Sequence, residues 1–287
     1  MTQIMKRVLY LLLFLLVDSF SIDARDYKDI YSDQAWEMYK RINSSDPLLP
    51  GDSYDNVLKL FLKAEKLGNN DNYNVIGYIY ANYHRQVELF HTLPRKEYRA
   101  KIENYYKKAI ATGAYNAYYN LGQCYEGYMY EAVGFEYDFE KAVSYYKKGA
   151  EVSNPFCLVH LGNYYRDGVL EAGESKLSGE VAFSYYTRAY ESDPKHGQAC
   201  LELGKCYENG IGVDADLSKA AWFYEAGAPY DDECLVNAAL CYEVGKGVQR
   251  DIKKACDMYG RALDNFYTAD WVIEHYERLS RKLGREY

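Results

Sequence analysis

The sequence predicts an all-α fold: an α-solenoid of about six antiparallel helix pairs and a closing helix. Three observations carry that expectation. First, a Leu-Gly-x-x-Tyr core recurs as Leu121-Gly122…Tyr125, Leu161-Gly162…Tyr165 and Leu203-Gly204…Tyr207. Weaker copies stand at Ile76-Gly77…Tyr80, Ala238-Ala239…Tyr242, Ala35-Trp36…Tyr39 and Val272-Ile273…Tyr276. Second, an aromatic column runs between these cores: Phe61, Tyr106, Tyr146, Tyr186, Tyr224 and Tyr259. Three residues after each comes alanine or glycine: Ala64, Ala109, Gly149, Ala189, Gly227 and Ala262. Large residues facing small ones are what close helix packing needs. Third, length varies inside each repeat and hardly at all between repeats. The gap from Tyr80 to Lys101 is wide and that from Tyr242 to Lys254 narrow, while Lys101 to Leu121, Lys141 to Leu161 and Lys219 to Ala238 barely differ. Insertions therefore cluster in the loop inside each helix pair, as in stacked repeats.

In chain order, Met1–Ala24 reads as a secretory signal peptide. Lys6 and Arg7 precede the apolar run Val8–Val17, which is too short to span a bilayer, and small residues follow, with cleavage expected after Ala24 or Ser21. Arg25–Ile42 is the first helix. A loop with Pro47 and Pro50 follows, and Asn43-Ser44-Ser45 is a glycosylation sequon with meaning only in a eukaryotic source. Ser53 opens a helix to about Leu67, stopped at Gly68. The second pair spans Asp71–Tyr83 and Pro94–Thr112. The third, Tyr115–Gly149, carries the insertion Tyr128–Tyr137, and the fourth, Pro155–Tyr190, carries Val169–Ser178. Lys195–Ala228 and Asp231–Leu263 are compact pairs, and Tyr267–Leu283 closes the chain. Asp216, three residues before Lys219, is placed to cap the helix it precedes.

Gly210-Ile211-Gly212-Val213, Gly245-Lys246-Gly247-Val248, Asp138…Lys141-Ala142, Asp216…Lys219-Ala220 and Asp251…Lys254-Ala255 complete the motif set. With the Leu-Gly-x-x-Tyr cores, they resemble the Sel-one-like repeat (SLR) family, a relative of the tetratricopeptide repeats. The resemblance is strong from Asn116 to Leu263 and degenerate before that. It implies a right-handed superhelix used mainly as a protein-binding scaffold, and no catalytic residues. The expected domains are the signal peptide at 1–24, a degenerate helix pair at 25–68, repeats at 69–266, and a capping helix with tail at 267–287.

Composition narrows the partners. The formal net charge of −8, with no basic stretch, disfavours nucleic acid and anionic lipid. No stretch after the leader is apolar enough to cross a membrane, so the mature chain is expected to be an extracytoplasmic, soluble monomer. The 34 tyrosines exceed what the repeat columns use, and the surplus suits a binding surface. Seven cysteines cannot all pair within a monomer. Cys124, Cys206 and Cys241 share one column and Cys157 and Cys234 another, too far apart from repeat to repeat for a disulfide. They read as buried small apolar groups, with Cys241–Cys256 the within-repeat pair to inspect first.

No motif for chemistry stands in a catalytic context. Ser144-Tyr145-Tyr146-Lys147 has a Ser-x-x-Lys spacing but lies inside a repeat helix without a companion motif. The glycines at 210–212 and 245–247 leave helices rather than follow strands, so they are turn glycines and not a phosphate cradle. His84, His91, His160, His196 and His275 show no metal-ligand spacing. No cofactor, metal or catalytic residue is therefore expected. The alternative is a secreted hydrolase or penicillin-binding-type activity, which the resemblance extends from some cysteine-rich SLR relatives. The expected function is a non-catalytic scaffold binding a protein or peptide segment on its concave face. The outward positions there are Asn74, Tyr78, Tyr119, Gln123, Glu126, Asn163, Arg166, Lys205, Glu208 and Glu243.

Overall fold

The computed structural model describes residues 24–44, 46–127, 133–170 and 175–284. The expected leader up to residue 23, Ser45 of the sequon, parts of both insertions and the last three residues lie outside them, while Ala24 already belongs to the first helix. Among the described residues the chain is all-helical, with fourteen α-helices and one 3-10 turn. It divides into two compact units, 1–139 and 140–287.

Unit 1 holds α1 (Ala24–Ile42), α2 (Tyr54–Lys66), α3 (Tyr73–Asn82), α4 (Glu88–Thr92), α5 (Arg95–Ala111) and α6 (Asn116–Tyr125). Helix α1 packs on α2, α3 on α5, and α5 on α6. The long linker after α3 folds into a 3-10 turn at His84–Gln86 and the short α4. Unit 2 holds α7 (Phe139–Glu151), α8 (Pro155–Arg166), α9 (Ser175–Ser192), α10 (Gly197–Asn209), α11 (Leu217–Gly227), α12 (Asp232–Val244), α13 (Ile252–Asp264) and α14 (Asp270–Lys282). Here α8–α9, α10–α11 and α12–α13 are hairpins, each second helix packs on the next first helix, and α14 closes against α13. Both units are thus built as an α-solenoid is, from helix pairs that bury one face on the pair beside them.

The helix ends follow from local chemistry. Asp216 accepts from the Ser218 and Lys219 amides at 3.0 and 3.1 Å, Asp231 from Cys234 at 2.9 Å, and Asp251 from Lys254 at 2.9 Å. Ser53 and Asn154 cap α2 and α8 in the same way. Gly210 and Gly245 end α10 and α12 in the left-handed region, at φ 69° and 78°, where glycine has no Cβ penalty. Asp216 and Asp251 also close their hairpins, since the Asp216 amide donates to the Tyr207 carbonyl at 2.8 Å and Asp251 to Tyr242 at 2.9 Å.

The second helices supply most of the large rings of the core. Phe61, Tyr106, Tyr146, Tyr186, Tyr224 and Tyr259 are all buried, as are the alanines and glycines three residues on. Tyr106, Tyr186 and Tyr224 lie against the glycines of Ile76-Gly77, Leu161-Gly162 and Leu203-Gly204, whereas Phe61 meets Trp36. A Cβ on Gly77 would come within 2.9 Å of the Tyr106 ring, and one on Gly162 within 2.5 Å of Tyr186. One on Gly204 would overlap Tyr224. The small column makes room elsewhere, since a Cβ on Gly227 would press on Cys200 and Cys234 of the flanking first helices.

The tyrosines of the Leu-Gly-x-x-Tyr core depart from expectation. Tyr80 and Tyr125 are buried, but Tyr39, Tyr165, Tyr207, Tyr242 and Tyr276 are half-buried. Their neighbours lie on the second helices, as Tyr165 shows by stacking on Tyr185 at 5.7 Å. Tyr207 stacks on Phe223 at 5.6 Å with the Lys219 ammonium 5.0 Å from its ring, and Lys254 lies 3.8 Å over Tyr242. Lys219 and Lys254, the lysines of two Asp-x-x-Lys motifs, thus roof the tyrosines of their own repeats.

All seven cysteines are buried and free, Cys241 and Cys256 among them. The Cys256 thiol lies 3.3 Å from the Ser280 hydroxyl, and Cys234 donates to the Gly197 carbonyl at 3.4 Å. Burial pushes the Cys200 and Cys241 thiols up to about 11 and Cys206 to about 12.

Candidate functional site

The residues expected to point outward fall on the first helices, and the two units equip that side differently. In unit 1, Asn74 and Tyr78 lie on α3, and Tyr119 and Gln123 on α6, with Glu126 just past its end. All five are half-buried. Asn120 Nδ2 donates to Asn74 Oδ1 at 3.1 Å, linking the two helices, and Gln123 Nε2 donates to the Tyr119 hydroxyl at 2.9 Å. Tyr78 meets Tyr83 at 6.0 Å, and Tyr83 stacks on Tyr54 at 3.6 Å.

In unit 2 Arg166, Lys205, Glu208 and Glu243 are charged and engaged by the fold, while in unit 1 Glu126 is the charged member. Arg166 of α8 pairs with Glu202 of α10, which is 3 % exposed, and Lys205 reaches the other Glu202 oxygen at 3.2 Å. Glu208 is held by Lys246 of the following loop and by the Tyr224 hydroxyl. Glu243, expected to point outward, is only 5 % exposed. It accepts from His275 Nδ1 at 2.7 Å, from Tyr259 at 3.2 Å and from Arg278, which join it to α14 and α13. Asn163, half-buried, accepts from Tyr186 at 2.8 Å. These charges bolt each first helix to the next repeat. Burial alone would raise the Glu208 and Glu243 carboxyls. The hydrogen bonds from Lys246 and Tyr224, and from His275 and Arg278, outweigh it and hold both below the usual range.

Glu202 and Asn120 were not among the expected positions. Both occupy the place just before the Leu of Leu-Gly, which is polar in Asn120, His160, Glu202 and Asn237. That polar column between apolar neighbours was the signal available.

Ser144 and Lys147 are both exposed on α7, on either side of the buried Tyr146. Among the described residues no group of three or more His, Cys, Asp or Glu is placed to hold a metal. His196 serves as a cap, its Nδ1 accepting from Ala199 at 3.2 Å. A cavity of about 420 Å³ in unit 2 lies away from the first helices, between the end of α11 and α13.

The Sel1 repeat family model matches residues 116–154, 155–194, 197–228 and 232–265, together just over half of the chain. The chain belongs to the Sel1 repeat family. Among solved structures, it is similar to a Sel1 repeat protein from Oxalobacter formigenes, with 26 % identity and a TM-score of 0.59 over 80 % of this chain and 84 % of that one. It shares its fold with c5321, a protective antigen of uropathogenic Escherichia coli displaying an SLR fold. The identity there is 21 % and the TM-score 0.58, over 89 % of this chain and 52 % of the antigen. The immunity protein Pa5087 of Pseudomonas aeruginosa matches at 17 % identity with a TM-score of 0.53, over 85 % of this chain and 87 % of that one. No curated protein matches the chain. Sel1 repeat proteins typically mediate protein–protein interaction, and their scaffold is generally non-catalytic. No helix among the described residues is long and apolar enough to cross a membrane. The matched repeats begin with α6, so α1–α5 of this Sel1 repeat protein precede them.

Proposed function

We propose that this Sel1 repeat protein is an exported, non-catalytic scaffold that holds a protein or peptide segment on the side lined by its first helices. The proposed layout is a leader at 1–24, a degenerate pair at 25–68, repeats at 69–266 and a capping helix with tail at 267–287. The observation that carries the reading is the polar dress of the first helices. Asn74, Tyr78, Tyr119, Gln123, Glu126, Asn163, Arg166, Lys205 and Glu208 are all partly accessible, and the ion pairs of unit 2 fix their side chains in place. Preordered side chains lose little entropy when a partner arrives. Glu243 supports the face from beneath.

A photo-crosslinking amino acid tests the reading. Placed at Tyr119 or Lys205, it should capture a protein partner in the native compartment, and at Lys147 on α7 it should not. Equal capture from all three positions, or none from the first two, rejects it. Replacing Arg166 is a poor test, because it takes from the buried Glu202 carboxylate one of its two cationic partners. Export is checked by sequencing the mature N-terminus, expected after Ser21 or Ala24.

A further inference from the structure

The turns that join each repeat of unit 2 to the next lie along one edge, and they hold aromatic rings in water. Phe156 is 42 % exposed, Tyr230 52 % and Phe266 89 %. Phe266 stands there at φ 65°, a conformation unfavourable for a bulky side chain. Asn265 Nδ2 donates to Asp232 Oδ1 at 2.7 Å, so the turn of Phe266 lies against the turn of Tyr230. Gly197 abuts the Tyr230 backbone, and His196 beside it meets the Phe156 ring at 4.6 Å. The rings therefore follow one another in a strip.

That strip is acidic. Its four turns read EVSNPF (151–156), ESDPKH (191–196), PYDDE (229–233) and DNFYTAD (264–270), with eight carboxylates and one lysine. The hairpin loops GIGVDAD (210–216) and GKGVQRD (245–251), at the opposite helix ends, hold three carboxylates against two bases. Helix chemistry explains part of the excess, since Asp231 caps α12 and Asp270 stands in the first turn of α14. It does not explain Glu151, Glu191 and Asp264. These are exposed and stand in the last turns of α7, α9 and α13, where the helix dipole favours a cation. Besides burial, the carboxylates of Glu233, Asp231 and Asp232 push the Tyr267 hydroxyl up. Lys205, 3.7 Å from Glu233, also serves Glu202 at 3.2 Å.

The strip also keeps an unmet donor. His196 is 8 % exposed, and its Nδ1 accepts from the Ala199 amide at 3.2 Å. The ring hydrogen is therefore on Nε2, which is buried and has no acceptor among the described residues. A buried donor left open marks a surface that is incomplete by itself.

We infer that this edge of unit 2 docks a lysine- or arginine-rich segment of a protein partner. The faces of Phe266 and Tyr230 take its cations, and the carboxylates around them pair with it. The partner then brings the positive charge that the ends of α7, α9 and α13 lack. The strip is distinct from the side lined by the first helices, so either surface can fail without the other.

Fluorescence anisotropy on the full-length protein tests it, with end-blocked peptides of equal length that are Lys/Arg-rich, Glu-rich or Ser/Gly-rich. The Lys/Arg-rich peptide should bind, with a Kd that rises at least about tenfold between 50 and 500 mM salt. Phe266→Gly should weaken it about fivefold, the scale of one cation–π contact, while the melting temperature rises. Glu151→Gln, Glu191→Gln and Asp264→Asn together should weaken it at least about tenfold with no loss of melting temperature. Asp214→Asn, in a hairpin loop, should leave Kd unchanged. Equal binding by Phe266→Gly and the unaltered chain, retention by the triple variant, a comparable loss from Asp214→Asn, preference for either other peptide, or no binding at all each overturns the inference. So does a dimer that Arg281→Glu with Lys282→Glu abolishes, since a second copy then occupies the edge.

Discussion

Tyr224 occupies the space in front of Gly204, and its hydroxyl reaches Glu208. Gly204→Ala should cost about 1–3 kcal/mol by overpacking, read as a lower urea midpoint at constant m-value. In the background of Tyr224→Ala most of that cost should vanish, because the two changes share one contact. Gly247 and Gly210 separate strain from collision. Both have positive φ, but a Cβ on Gly247 would run into the Leu217 carbonyl oxygen, whereas on Gly210 its nearest neighbour is 3.6 Å away. Gly210→Ala should therefore cost about 1–2 kcal/mol and Gly247→Ala clearly more. Titrating residues give a two-step acid profile. Burial pulls His196 and His84 below their usual 6.5, so the stability they leave intact above that pH falls as pH drops from 6.5 toward their folded values. Glu208 and Glu243 sit below their usual 4.5, so their contribution is complete above 4.5 and is lost beneath it. Urea midpoints between pH 7 and 3 should show both steps, and His196→Asn should shrink the first. At this scale the sequence disclosed the columns but not their order of importance. The Leu-Gly-x-x-Tyr tyrosines carry the motif and are mostly half-buried, while the second-helix rings are all buried, a difference of depth that the motif does not encode.

Element by element, the helices lie close to where the periodicity places them, and the caps follow from Ser53, Asn154, Asp216, Asp231 and Asp251. The linker after α3 was less legible. The 3-10 turn and α4 are too short to show a hydrophobic period, so only their outcome, Val87 and Phe90 buried beside Tyr98, reveals them. Helix α14 buries Val272 and Leu279 in the core and is tied to α12 through one carboxylate. Glu243→Gln weakens its hold on Arg278 and His275 together, and hydrogen exchange in α14 should accelerate well before exchange in α10. The turn after α13 holds Phe266 at φ 65° and 89 % exposed, in a position where the turns after α2 and α5 use Gly68 and Gly113. Phe266→Gly should remove left-handed strain and raise the melting temperature by a few degrees.

For the molecule as a whole, the repeat architecture was legible because each pair restates the same packing problem. The candidate face was legible only as a set of positions. That unit 2 spends its charges on cross-repeat bonds depends on pairings over more than thirty residues, such as Arg166 with Glu202 and Arg278 with Glu243. No local pattern announces such partners. Stability should behave as a sum of repeat and interface terms, so damage at α14 stays local rather than unfolding the chain.

The seven buried thiols tie this architecture to the compartment in which the chain matures. Their sulfurs are shielded from solvent, and burial disfavours the reactive thiolate in at least Cys200, Cys206 and Cys241. A thiol-specific dye should find none of them in the native protein and all of them in denaturant. In an oxidising milieu the order of events then decides the product: a chain that closes its hairpins before an oxidant arrives stays unlinked, and one that lingers open becomes cross-linked into shapes from which these repeats cannot assemble.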